Sequence, residues 1–320
     1  MEYIGGKFMA INPLNITSKK GSITSIFKEF NHSKNLGLAN ENHLKLFYLD
    51  INSNQFTYIG LQKVLKKNIG AYVFSRATIQ QYKTDDATEM VALDAVQLLR
   101  KVSNPKDKGA GGELGEILLY LFLEQILGAP KLLSKVELKT SNNQYVNGSD
   151  AVHLLANEFE DELFYQLVLG ESKINGNIKE AVDNAFKSIT TANHDGEKDI
   201  ELVESNIFKE SFDTKTVDFI KGLIVPNKRK MDISVDRAYG IFIGYTPSVN
   251  RTLSNVEFKE HVREVLKNDI ESIIPYIKKK IKEFGLENNS VYIYLVPFND
   301  AMKDRVNIIK RLKGEENEFG

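Results

Sequence analysis

The stretch Asn147 to Lys173, NGSDAVHLLANEFEDELFYQLVLGESK, decides how this chain is read. Gly148-Ser149-Asp150 opens a strand candidate, Gly148 to Leu155. After the polar turn NEFEDE, a mostly apolar strand candidate, Leu163 to Leu169, leads into Gly170-Glu171-Ser172-Lys173. Side chains two apart on an extended strand point to one face, so Glu171 and Lys173 share a side and Ser172 faces away. With the two strands as neighbours, Asp150, twenty-one residues before Glu171, joins them. Two converging carboxylates form a hard, oxygen-rich site suited to Mg²⁺ or Mn²⁺, with water and phosphate oxygens completing the shell. A bound divalent ion lowers the pKa of its water and neutralises the charge that builds on a phosphodiester under attack. An adjacent lysine can orient that water and stabilise the transition state.

Working outward, the upstream segment GELGEILLYLFLEQILG has apolar residues at helical spacing and Gly128 where a C-terminal stop is expected, which predicts a largely buried helix from about Glu113. A third strand candidate, Lys135 to Thr140 (KVELKT), lies between this helix and the turn SNNQYVN. Downstream, Asn177 to Ala192 reads as an amphipathic helix with Ile178, Val182, Ala185, Phe186 and Ile189 on one side. The expected order is helix, strand, strand, strand, helix. Glu113 and Glu116 are three apart on the first helix and share a face.

The Asp, the Glu-x-Lys on the next strand and the preceding glutamate-bearing helix resemble the PD-(D/E)xK nuclease superfamily, whose core has this same order. The resemblance implies an α/β fold, with a central mixed sheet flanked by helices and with N-terminal and mainly helical C-terminal elaborations. It implies Asp150 and Glu171 as metal-binding carboxylates, Lys173 as the catalytic lysine, and a glutamate of the first helix nearby. That glutamate is Glu116 by its G-x-x-x-E spacing from Gly112, with Glu113 as second choice. Ser149 stands where the superfamily's proline would be. More narrowly, GELGEILLYLFLE, GSDAVHLL and GESK resemble the HamA family of nuclease subunits from Hachiman anti-phage defence systems. The likeness covers about Gly111 to Ile189, and the flanks match only in length and order. It implies a bacterial effector that degrades DNA and works with a HamB-type helicase partner.

The chain has 320 residues, 42% of them hydrophobic, enough for a substantial core. Its 42 basic and 43 acidic residues leave a net charge of −1, so nucleic-acid phosphates would have to be met by local patches or metal. Absence of cysteine excludes disulfides, thiolate zinc sites and thiol nucleophiles, and suits a cytoplasmic location. Neither a leader-like N-terminus nor an apolar stretch of roughly 18 residues is present, so the chain reads as soluble and unexported, with no membrane partner. The G-x-x-x-x-G-K-[ST], G-x-S-x-G and H-E-x-x-H patterns are missing, so no small-molecule cofactor is expected and any ATP-driven motion belongs to a partner.

Val102 to Gly112 (VSNPKDKGAGG) reads as an exposed loop, dividing an N-terminal α+β unit (1–110) from a nuclease core (111–194). A C-terminal part (195–320) follows, which can complete the same domain. The first unit shows the apolar run Leu44 to Leu49 and helical segments near Gly60 to Lys67 and Glu89 to Lys101. The last shows strand candidates Tyr239 to Tyr245 and Val291 to Pro297, separated by a helix, Val256 to Phe284, interrupted or kinked at Pro275. The end, GEENEFG, reads as a solvated tail.

Each signal has an ordinary reading as well. An Asp beside Gly148 and Ser149 can be a turn residue, and Glu113 and Glu116 can be first-turn acids complementing the helix dipole. His153 is expected to pack, and Ser172 to pack or to bond a neighbouring element. Lys179, Lys187 and the basic clusters at Asn227 to Lys230, Lys278 to Lys282 and Lys303 to Lys313 suit either phosphate contacts or solvated faces. The competing function is a non-catalytic, nuclease-like adaptor that binds a helicase or nucleic acid.

Overall fold

The computed structural model describes residues 14–37, 44–102, 112–141, 148–159, 162–194, 200–203, 205–206, 214–224 and 235–315. The boundary loop read at Val102 to Gly112, the turn SNNQYVN, the cluster Asn227 to Lys230 and the end of the tail fall mostly or wholly outside these residues.

In chain order, β1 is Phe27–Phe30, β2 Leu44–Leu49, β3 Ile51–Asn52 and β4 Gln55–Phe56, followed by α1 Ile59–Val73, α2 Arg76–Thr84, α3 Val91–Val102 and α4 Gly112–Phe122. Then come α5 Lys135–Ser141, β5 Ala151–Phe159, β6 Glu162–Ile174, α6 Ile178–His194, α7 Thr214–Ile224, β7 Val235–Tyr245, α8 Asn255–Glu283, β8 Ser290–Pro297 and α9 Ala301–Lys313. One six-stranded sheet runs β1-β2-β8-β7-β6-β5. The four inner strands β2, β8, β7 and β6 are parallel, while the edges β1 and β5 pair antiparallel. This is the expected α/β architecture, a mixed sheet with helices on both faces. No helix among the described residues is long and apolar enough to cross a membrane.

Helix α4 lies directly on β6 and β7. A Cβ at Gly170 would come within 2.9 Å of Leu119, one at Gly240 within 2.6 Å of Leu123, and one at Gly115 within 2.9 Å of the Ser172 hydroxyl. The missing side chains let the helix approach at backbone distance. Its far end is anchored by Phe122, whose ring centroid lies 5.0–5.7 Å from those of Phe27, Phe47, Tyr294 and Phe242. Such aromatic contacts add to simple burial. A π-turn, Leu123–Leu127, then ends in Gly128 at φ +78°, the left-handed stop expected at this position.

Two expectations are corrected. Lys135 to Thr140 is not a strand but lies in helix α5. Val136 and Leu138 are both buried, and the element packs on α1 and α3. Glu137 accepts from the Ser75 backbone N–H and the Thr78 hydroxyl, each at 2.5 Å. These tertiary contacts override the alternating apolar pattern. The first strand of the expected order is reduced to a single bridge, Lys131 opposite His153, flanked by Leu132 N–H to Val152 carbonyl (2.8 Å) and Leu154 N–H to Pro130 carbonyl (3.0 Å).

Helix α8 is also not interrupted at Pro275. Its buried stripe, Phe258, Val262, Leu266, Ile270, Ile273, Ile274, Ile277 and Ile281, continues past the proline. Pro275 sits on the exposed side, where the carbonyl that lacks a donor can be solvated. The start is fixed by a capping box between Ser254 and Glu257.

If the close seat of α4 is required, Gly240→Val should lower the urea midpoint by an amount equivalent to about 1–3 kcal/mol, followed by circular dichroism. An unchanged midpoint would show that the helix moves off the sheet at no cost.

Candidate active site

Strand β6 does not stop at Leu169 but continues through Gly170-Glu171-Ser172-Lys173 to Ile174, because β7 pairs with it along that whole length. Alternation therefore applies to these residues without a break. Gly170 and Ser172 face α4, and Glu171 faces α6, where it shares a lining with Leu169, Tyr239 and Ile189. Lys173 is on the Glu171 side and donates its ammonium to Glu171 Oε1. The sequence pattern anticipated this pairing of faces.

Asp150 sits one residue before β5, its N–H donating to the Gly170 carbonyl at 2.8 Å. Its Oδ2 accepts both the Ser172 backbone N–H and the Ser172 hydroxyl, each at 2.9 Å. Ser172, which the sequence suggested would pack or bond a neighbour, thus holds the aspartate in place. Because the carboxylate is gripped at the strand edge, its charge acts on both faces of the sheet.

On one face that charge acts on Glu171. Burial first, then Asp150, push the Glu171 carboxyl up to about 7, although Lys173 and a hydrogen bond from Ser188 of α6 pull the other way. On the other face it acts on Glu116, which α4 carries into a cleft lined by Tyr72, Lys135, Val136 and Asp150. Burial and then Asp150 raise Glu116 likewise to about 7, opposed by Lys139 and by the Tyr72 hydroxyl, which donates to Oε2 at 3.0 Å. Glu113 points elsewhere: its Oε1 accepts from Lys313, buried at the end of α9, at 2.9 Å. Asp150 is thus the shared neighbour of Glu116 and Glu171.

Among the described residues, no three acidic or histidine side chains close on one point. A divalent ion would accordingly be held by Asp150 with Glu171 or with Glu116, and Mg²⁺ commonly takes only one or two carboxylates and fills its remaining positions with water and phosphate oxygens. The donor chemistry fits such an ion. All the groups are hard oxygens, and burial and a like charge raise two of the carboxyls, a cost that a cation relieves.

His153 is buried on the α4 face, with Nδ1 2.7 Å from the Ala129 carbonyl, and burial brings it down to about 4. It is a packed histidine beside the Tyr120 ring. Several of the other basic candidates are committed. Lys280 pairs with Asp183 (3.0 Å) and Glu283 (3.1 Å), Lys313 with Glu113, and Arg305 donates to the Ile174 carbonyl. Sequence reasoning missed Tyr72 because α1 carries no chemical motif, and missed Lys139 because it was placed on a strand.

The family model of HamA matches residues 24–312, nearly the whole chain. The chain belongs to the HamA family. Membership ties the protein to Hachiman anti-phage defence. No curated protein matches the sequence.

The raised carboxyls have a consequence for stability. An unfolded glutamate titrates near 4.3, so between about pH 4.3 and 7 the folded chain holds more protons than the unfolded one, and stability falls as pH rises. In EDTA, Glu171→Gln should therefore be more stable than wild type at pH 8, by roughly 2 kcal/mol, with the gap closing toward pH 5. Urea denaturation at the two pH values measures it, and a gap independent of pH would contradict the raised carboxyl.

Proposed function

We propose that this HamA-family protein is a divalent-metal-dependent nuclease that hydrolyses phosphodiester bonds in DNA and acts under the control of a helicase partner. The observation that carries the reading is the placement of Asp150 between Glu116 and Glu171, with Lys173 on Glu171. Two buried glutamates near a fixed aspartate, with a lysine on one of them, offer the hard oxygen donors and the cation that metal-assisted phosphodiester hydrolysis uses.

In this reading Asp150 and Glu171, with Glu116 as the alternative or additional ligand, hold Mg²⁺ or Mn²⁺. When bound, the ion supplies an acidified water and charge neutralisation at the phosphate. Ser172 keeps the Asp150 carboxylate from rotating, so the ligand is oriented before metal arrives. Lys173, whose ammonium sits on Glu171, would supply the positive charge that orients an attacking water and stabilises the oxyanion. Tyr72 holds Glu116 at the cleft. The chain has no P-loop, so coupling to ATP belongs to the partner.

Purified protein, alone and with its helicase partner, should nick or degrade plasmid DNA with Mg²⁺ and not with EDTA. Glu171→Ala and Lys173→Ala should each lose at least about 100-fold, the usual scale for a group that stabilises the transition state. Calorimetric Mn²⁺ binding should be present in wild type and absent in Asp150→Ala. A wild type that binds no metal and cuts nothing in either setting would favour the adaptor reading.

A further inference from the structure

Helix α5 brings a second set of cations to the site. Lys135 and Lys139 are four apart and so lie on one helical face. Glu137 points away from that face and ties α5 to the start of α2 through Ser75 and Thr78, while Val136 and Leu138 are buried. The helix is thus held with its lysine face turned to the Asp150 cleft. Lys135 is half-buried, lines that cleft with Glu116 and Asp150, and donates to the Ser149 carbonyl, the residue next to Asp150. Lys139, one turn further along, is exposed, and its charge reaches Glu116.

Among the described residues, the other lysines discussed for the site have partners of their own. Lys131, which also lines the cleft, donates to the Ala71 and Phe74 carbonyls and the Ser134 hydroxyl, Lys280 is occupied by Asp183 and Glu283, Lys313 by Glu113, and Lys173 by Glu171. The charge of Lys139 acts on Glu116, one of the site's own carboxyls. An exposed ammonium on a rigidly tethered helix beside a metal-type carboxylate is suited to a phosphate oxygen of a nucleic-acid backbone.

We propose that the Lys135 and Lys139 face of α5 is the phosphate-contacting rim of the site, with Lys139 pairing directly with a backbone phosphate adjoining the scissile bond. The proposal rests on the nuclease reading and assigns the side of the cleft along which the strand runs. Contact of this kind positions the substrate and carries no base specificity.

The test is equilibrium binding of a fluorescein-labelled DNA duplex to the full chain, with Ca²⁺ in place of Mg²⁺, over a range of salt concentrations. Wild type, Lys139→Gln, Lys139→Glu and, as a control on α8, Lys259→Gln are compared. Parallel cleavage kinetics are run with Mg²⁺ and, where the chain alone is inactive, with its helicase partner. Lys139→Gln should weaken binding several-fold for any sequence and reduce the slope of log K against log salt by about 0.9, the loss of one phosphate contact. It should raise KM with kcat largely kept, Lys139→Glu should do more, and Lys259→Gln should change neither. Because Lys139 is exposed, these variants fold. If wild type cuts DNA and the Lys139 variants match it in KM, affinity and salt slope, the α5 proposal falls and the nuclease reading stands. If wild type neither binds nor cuts in either setting, both fall together.

Discussion

The rest of the structure depends on how closely α4 can approach the sheet. Gly170 and Gly240 remove the side chains that would hold the helix off β6 and β7, and Gly115 removes the one that would strike Ser172. Leu114, Ile117, Leu118, Leu121 and Phe122 are then buried with almost no exposure. At about 25 cal/mol per Å² of apolar surface, such burial is the largest stabilising term available to this region. The functional consequence follows from the same contact. Glu116 is on the helix that the glycines admit, so the distance between Glu116 and the Asp150 end of β5 is set by packing, and packing is unforgiving of small displacements. A helix seated on larger residues would carry its glutamate away from the aspartate.

Around this seat the protein treats buried charge in two ways. At Glu124, 1% exposed, the carboxylate accepts from the backbone N–H groups of Thr17, Ser18 and Lys131 and from the Thr17 hydroxyl. Nearby, buried Lys131 donates to the carbonyls of Ala71 and Phe74 and to the Ser134 hydroxyl. These charges are saturated by hydrogen bonds, as buried charges must be to be tolerated, and they tie the segment before β1 and the end of α1 to the π-turn. At Asp150 the arrangement is the opposite. Glu116 and Glu171 are buried near a like charge with few donors, and both carboxyls are raised as a result. Strain of this kind, confined to one cleft beside carboxylate and ammonium groups that are hydrogen-bonded, marks the surroundings of Asp150 as a candidate functional site.

Much of this was legible in the sequence, for identifiable reasons. The facing of Glu171 and Lys173 follows from the two-residue period of a strand, and no tertiary contact can change it while the strand stays regular. The α4 and α6 helices were visible because their apolar positions recur at helical spacing over several turns. KVELKT was misread because six residues with two apolar positions do not separate strand from helix, and what decides is Glu137 meeting Ser75 and Thr78, more than 50 residues away. That α8 runs on through Pro275 was not legible because sequence alone does not say which side of the helix is wet. The role of Ser172 was half visible: its facing away from Glu171 was clear, but that Asp150 would lie within reach of it depended on the register Ala151 opposite Gly170. Tyr72 carried no local signal at all, since it joins the site only through the packing of α1 on α4.

The topology also explains why the site is not a detachable module. The recognisable motif segments contribute only β5 and β6 to the sheet, and β6 has its second neighbour in β7, which comes from beyond residue 234. Through β8 that strand joins β2, so the N-terminal and C-terminal stretches meet in the middle of the sheet and not at its rims. A chain cut to residues 111–194 would expose the whole edge of β6, from Tyr165 to Ile174, including the backbone that presents Glu171 and Lys173. An unpaired, largely apolar edge of that length invites association with other chains, and its register is no longer held. The same logic reaches Glu113, whose buried partner Lys313 lies at the very end of α9. The last helix therefore closes on the first turn of the helix that carries Glu116, and the geometry of the site is completed only when nearly the whole chain has folded.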